Sequence, residues 1–158
     1  MVKSSHADDA PEMSRKHAPF WKTTPLDRLS TKAWESLCDG CGKCCLEKIE
    51  DEETREIYNT NIACNLLDTQ TCRCTHYRTR SIREPSCVTL TPEHLIDPYW
   101  LPSTCAYRLL AEGKDLPPWH PLITGDPQSV ERAGHSVRGR VVPASEADDW
   151  EFHLVDWL

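Results

Sequence analysis

Four cysteines stand within eight residues: Cys38-Asp39-Gly40-Cys41-Gly42-Lys43-Cys44-Cys45. This run constrains the fold more than any apolar pattern in the chain. Two thiols separated by two residues lie on the same side of a tight turn, close enough to share one ion. Cys38, Cys41 and Cys44 match the first three positions of a ferredoxin-type run, whose fourth ligand then comes from elsewhere. Glycines at 40 and 42 let the backbone turn tightly between thiols. Cys45 follows Cys44 directly. In an extended conformation its sulfur points to the opposite side, toward a second site or the back of the first.

Five further cysteines are dispersed: Cys64, Cys72, Cys74, Cys87 and Cys105. Cys72 and Cys74, two apart, would share one face of a strand. Nine is odd, so a closed set of disulfides leaves one thiol over. The first 25 residues hold no apolar stretch of the secretory type. That predicts a cytoplasmic chain in a reducing compartment, where thiols persist, and ranks metal ligation above disulfides. All nine are candidate metal ligands, with Cys38, Cys41, Cys44 and Cys45 the densest set. Eight could fill two tetrahedral zinc sites, or one four-iron cluster and one zinc site. The cofactor expected is an iron–sulfur cluster, with the four-iron type favoured, or zinc. His76, two residues after Cys74, is a further candidate ligand.

The chain has 158 residues, of which 39% are hydrophobic, below the usual ~45–50%. The core is therefore modest. A structural zinc contributes about 10–16 kcal/mol of apparent binding energy in small modules, against a typical domain stability of about 5–15 kcal/mol. The fold class expected is α+β: one small, irregular, metal-stapled domain with short helices and short antiparallel strands. Residues 1–19 read as a flexible N-terminal arm and residues 20–158 as the cysteine-cluster domain. Apolar spacing predicts a helix over about 27–37, capped by Ser30 or Thr31, that ends at Cys38. Short β segments are expected within 46–75. Pro92 opens a helical turn, and a helix from Cys105 stops at Gly113. Residues 117–121 read as rigid loop and 135–142 as a strand. A terminal helix over 145–158 would pack Trp150, Leu154 and Trp157 on the body.

With 18 basic against 25 acidic residues the formal charge is -7, which argues against nucleic-acid binding. The apolar runs are too short for a membrane span. Metal ions are the expected partners. Four thiolates around a divalent zinc leave -2, so two such sites take the formal -7 to -11. Lys43, Lys48, Arg73, Arg78, Arg80 and Arg83 are placed to offset that charge or to hydrogen-bond the sulfurs. No phosphate loop, HExxH, Ser-His-Asp order or dinucleotide fingerprint is present. A metal- or cluster-dependent oxidoreductase or modifying enzyme, drawing on His76, Tyr77, Arg80 and His120, is the alternative. A thiol redox sensor uses the same cysteines.

The run Cys38 to Cys45 resembles the CxxCxxCC signature of the bacterial YkgJ-type cysteine-cluster family of zinc- or iron-chelating proteins. Cys64-Asn65-Leu66-Leu67-Asp68 and Cys74-Thr75-His76-Tyr77 resemble that family's second half, although the spacing to Cys87 is longer than usual. Leu101-Pro102-Ser103-Thr104-Cys105 through Trp119-His120-Pro121-Leu122, with Ser136-Val137-Arg138, is similar to the YcgN subgroup. The resemblance covers about residues 20–155 and implies metal chelation by cysteines, without a reaction.

Overall fold

Leu37 and Leu46, the residues on either side of the cysteine run, are both buried, and in different cores. The computed structural model describes residues 18–158. The expected arm over 1–19 therefore lies outside the described residues except for its last two positions.

Twelve prolines keep the helices short, because each lacks an N–H to donate and fixes φ. The helices are α1 (Phe20–Thr23), α2 (Thr31–Ser36), α3 (Arg80–Arg83), α4 (Ala106–Ala111), α5 (Pro121–Thr124) and α6 (Ser129–Arg132). The helix expected over 27–37 is divided. Leu26–Arg28 is a 3-10 turn, Leu29 is extended, and Ser30 caps α2 by accepting the Ala33 N–H at 3.2 Å. A capping residue is itself non-helical, so the two pieces cannot be continuous. The helix from Cys105 forms as α4, with Cys105 at its N-cap and Gly113 in the left-handed region after it. Residues 117–121 are loop only as far as His120, whose Nδ1 accepts the Leu122 N–H and starts α5.

The strands are β1 (Leu46–Glu50), β2 (Ile57–Ala63), β3 (Leu67–Asp68), β4 (Arg73–Cys74) and β5 (Val142–Pro143). β1 and β2 are antiparallel, as are β3 and β4. β5 lies parallel to β2, so the sheet is mixed and not purely antiparallel as expected. The register of β1 on β2 shifts between Leu46 and Lys48. There the hydroxyl of fully buried Thr60 donates to Glu47 O at 2.6 Å.

Two further expectations are corrected. Residues 135–142 are not a strand up to Val142. Gly134 and Gly139 hold left-handed φ, and the Val137 N–H is used on Cys41 O at 2.9 Å instead of a ladder. The terminal segment is not one helix. Two 3-10 turns, Ala144–Glu146 and Trp150–His153, are followed by extended Leu154, which bridges to Thr60. Trp157 packs on the strand core, whereas Trp150 and Leu154 remain exposed.

The two cores differ in make-up. The helical core buries Leu37, Leu95, Leu101 and Tyr107 beneath Trp34, Trp100 and Phe20. The strand core buries Leu46, Ala63, Leu67 and Val137, with Cys45 and Cys72 among the residues packed against it. Residues 38–45 run from one core to the other.

Candidate metal centre

The loop's path is fixed from below by backbone contacts. The imidazole of His120, fully buried, donates from Nε2 to Leu37 O at 2.8 Å, the carbonyl immediately before Cys38. With Nδ1 accepting from Leu122, both ring nitrogens of His120 are committed. His120 is therefore a brace and not the pocket group considered from sequence. Asp39 Oδ1 accepts the Cys41 N–H at 3.0 Å and tightens the first turn. Gly42 has φ +78, and a Cβ there would lie 2.6 Å from Cys72 Sγ and 2.7 Å from a Val137 methyl. Only glycine meets both conditions.

Lys43 is buried, with 2% of its surface exposed. Its Nζ donates to Thr104 Oγ1 at 3.0 Å, so it ties the loop to the residue before Cys105. Lys48 Nζ donates to Lys43 O and Leu46 O at 3.1 and 2.8 Å. Both lysines expected to offset thiolate charge thus bind the loop itself. Lys43 to Cys45 form a 3-10 turn and not the extended pair expected, so the Cys44 and Cys45 thiols stay together.

All nine cysteines are free thiols. Cys38 and Cys44 open to solvent. Burial pushes the Cys38 thiol up to about 12, with Cys44 adding to the rise and the Gly40 N–H opposing it. Burial likewise raises Cys41 and Cys105, and in both Asp39 and Cys44 add to the rise. Cys44 is the exception. Its hydrogen bond with Cys45 lowers it to about 7 against the push of burial, and Lys48 lowers it further. The same bond pushes Cys45 well up, with burial, Cys64 and Cys87 adding. Cys87 is raised by burial, then by Cys64, Cys44 and Cys74, against the charge of Arg80. Cys44 thus lies within electrostatic reach of thiols on both sides of the loop.

Cys105 reaches the loop because α4 is fastened to α2. Tyr107 Oη donates to Trp34 O at 2.7 Å, and the two rings pack with centroids 4.8 Å apart. On the other side, the Cys64 N–H donates to Cys45 O at 2.9 Å, and β3–β4 pairing sets Cys74 opposite Leu67. Cys64 Sγ accepts the Leu66 N–H at 3.4 Å, a donor that stabilises a thiolate. Cys72 stands apart from Cys74. It has φ +57, which breaks the alternation expected of a strand pair. Its Sγ donates to Gly40 O and Cys41 O at 3.5 and 3.4 Å.

His76 is exposed, and its Nδ1 is paired with Thr75 Oγ1 at 2.9 Å. Tyr77 is exposed as well. Its hydroxyl donates to Glu35 at 2.5 Å and its ring stacks under Arg80 at 3.9 Å. Burial, then Glu35, raises Tyr77 to about 12, so it stays a neutral donor at physiological pH.

The donors fit a thiophilic metal in kind and in neighbourhood: nine unbonded sulfurs with amide donors and lysines around them. Among the described residues, no three His, Cys, Asp or Glu side chains already converge to hold an ion. The thiols instead satisfy local partners: Cys72 two carbonyls, Cys64 an amide, and Cys44 and Cys45 each other. Sequence reasoning missed His120 as a brace and Lys43 as a tie, since both roles depend on contacts 61 or more residues away.

Comparison with known proteins agrees with this chemistry. A family model described as "Putative zinc- or iron-chelating domain", CxxCxxCC, matches residues 37–106. A UPF0260 protein of Gluconobacter oxydans (strain 621H) is 55% identical over 145 residues, covering 92% of this chain and 89% of the relative. One from Rhizorhabdus wittichii is 60% identical over 138 residues, covering 87% and 94%. One from Azotobacter vinelandii is 57% identical over 145 residues, covering 90% and 97%. No solved structure matches the chain. Among the described residues, no helix is long and apolar enough to cross a membrane.

Proposed function

We propose, because the chain belongs to the UPF0260 family and carries four of its nine thiols on one braced loop, that it holds a metal centre through cysteine thiolates. One observation carries this reading. The loop Cys38–Cys45 is braced at Leu37, at Gly42 and through Lys43, yet its thiols are unbonded and two of them open to solvent. Rigid backbone under free sulfurs is what a ligand loop needs.

The resident group is an iron–sulfur cluster, with the four-iron type favoured, or zinc. Cys38, Cys41, Cys44, Cys45, Cys64, Cys72, Cys74, Cys87 and Cys105 are the pool from which its ligands come. Iron–sulfur would supply one-electron chemistry, and zinc a structural staple or a Lewis acid. The chain's own residues supply the surroundings. Lys48 offsets charge beside Cys44 and Cys45, Arg80 does so beside Cys87, and the Gly40 and Leu66 amides face sulfurs. Metal ions are the partners in this reading, with neither membrane nor nucleic acid involved, and the setting is the cytoplasm. The segment Leu101–Leu122, with Cys105 and Trp119-His120-Pro121, supports the YcgN subgroup. The engagement of both His120 nitrogens removes one of the candidate pocket groups that the oxidoreductase reading drew on.

Anaerobic purification with metal analysis and a visible spectrum of the same sample tests the proposal. Iron with a broad visible band, or a colourless protein carrying zinc, supports it. A chain that carries neither, and takes up neither on anaerobic reconstitution, contradicts it.

A further inference from the structure

We infer that the chain assembles head to tail with further copies of itself, the acidic segment 146–156 of one copy seating on the arginine face 73–83 of the next. This contact is independent of the metal reading.

The two segments are opposite in charge and alike in exposure. Residues 73–83 carry Arg73, Arg78, Arg80 and Arg83 and no Asp or Glu. Residues 146–156 carry Glu146, Asp148, Asp149, Glu151 and Asp156 and no Lys or Arg. All of these except the half-buried Arg80 are exposed. In a chain of formal charge -7 the arginine run is a local exception. Among the described residues, none of the four arginines pairs with a carboxylate, and of the five acids only Asp148 has an ionic partner, His153. Other exposed charges do pair within the chain, as Arg55 with Asp97 and Arg138 with Glu131.

Each segment also turns apolar side chains to solvent. Ile82, in α3, is 79% exposed next to Arg83, and Phe152 is 78% exposed next to Glu151. Tyr77, stacked under Arg80, lies in the first segment, and Trp150 and Leu154 flank Phe152 at alternate positions in the second. A single exposed apolar residue is ordinary. Three on one short segment, rimmed by carboxylates, have the make-up of an interaction patch. Aromatic residues and arginine are the types enriched at interfaces. Charge supplies steering and register, and Phe152 and Ile82 supply the anchors.

The occupant is a second copy because the chain carries both halves and does not join them. The acidic segment is fixed along β2: the Val155 N–H donates to Asn59 O at 2.9 Å, Leu154 bridges to Thr60, and His153 Nδ1 pairs with Asn61 Oδ1 at 2.9 Å. Held there, it makes no ion pair with the arginines of its own chain. Two different complementary faces on one molecule make a heterologous contact, which propagates or closes into a ring. A nucleic acid on the arginines would leave the acidic face uncovered and meet the net charge of -7.

Sedimentation equilibrium of the full chain tests this, with the protein kept anaerobic so that its free thiols do not cross-link. The mean mass of the wild type should exceed one chain and rise with concentration. Its association should weaken about tenfold as salt goes from about 0.1 M to about 1 M, where the screening length falls from about 10 Å to about 3 Å. Ile82→Ser with Arg83→Gln removes the basic face, and Phe152→Ser with Glu151→Gln removes the acidic one. Each double variant should be monomeric alone. Mixed in equal amounts they should form a pair of chains and nothing larger, because each supplies the face that the other lacks. A monomeric wild type at every concentration, assembly that survives in either variant, or a mixture that stays monomeric overturns the contact. Should a variant not fold, the wild type decides by itself, and association that salt leaves unchanged overturns the contact.

Discussion

The two cores joined by the cysteine loop are stabilised by different means. The helical core is closed by large side chains: Leu37, Leu95, Leu101 and Tyr107 under tryptophans and phenylalanine. The strand core has Ala63 and Val137 at its centre and uses Cys45 and Cys72 as packing partners. Its second sheet consists of two strands of two residues each. Burial of a leucine or aromatic side chain contributes about 1.5–3 kcal/mol, whereas alanine and cysteine contribute much less. The difference teaches where a metal is needed for stability. The helical side is closed mostly by aromatic and leucine side chains with one thiol, Cys105, against them, and the strand side has smaller central side chains with two thiols against them.

The largest expected effect comes from removing the metal. Anaerobic chelation should raise amide exchange in β1 to β4 far more than around Leu37 and Tyr107. A structural site contributes on the order of 10 kcal/mol, so the strand side should lose most of its protection. Equal loss on both sides would break the comparison.

Leu37→Ala should act the other way. It empties a fully buried position of the helical core and should cost about 2–5 kcal/mol in denaturant unfolding. Metal should still bind, because no cysteine is removed. Gly42→Ala should cost about 2–4 kcal/mol, since it combines a left-handed φ with two overlaps below 3 Å. Gly40→Ala, with φ +75 but open space around it, should cost only about 1 kcal/mol. A larger loss at Gly40 than at Gly42 would contradict the cradle formed by Cys72 and Val137. Tyr107→Phe removes one hydrogen bond to Trp34 O and should cost about 1 kcal/mol. Denaturant unfolding measures it, and an unchanged stability would contradict the fastening of α4 to α2.

The smallest effect is on pH dependence. Cys38, Cys41, Cys45 and Cys105 are raised and so hold their protons at neutral pH in the metal-free chain, while Cys44 sits at about 7. Metal binding must displace those protons. Apparent zinc affinity should therefore rise from pH 6 to pH 8, as fewer protons need displacing. Competition titration against a chelator with known pH behaviour measures it, and a flat profile would contradict the thiol assignments.

The local features of this architecture were legible in the sequence. Ser30 as a cap, Pro92 opening a turn, α4 ending before Gly113 and the ligand loop itself depend on neighbours within a few residues. What was not legible depends on distant contacts. The segment 135–142 has a strand-like pattern, but its Val137 amide goes to Cys41 across the fold. The end of the chain has a helical pattern, yet Leu154 is drawn into a bridge with Thr60. Cys72 and Cys74 look equivalent at a spacing of two until a left-handed φ at Cys72 turns one away. In each case a tertiary contact outweighed local preference.

Thiol titration of the freshly purified, native chain, before and after chelation, tests metal binding by these cysteines most directly. The account predicts that fewer thiols react before chelation than after it, when all nine react. Nine reactive thiols without chelator, or the same count in both states, would contradict it.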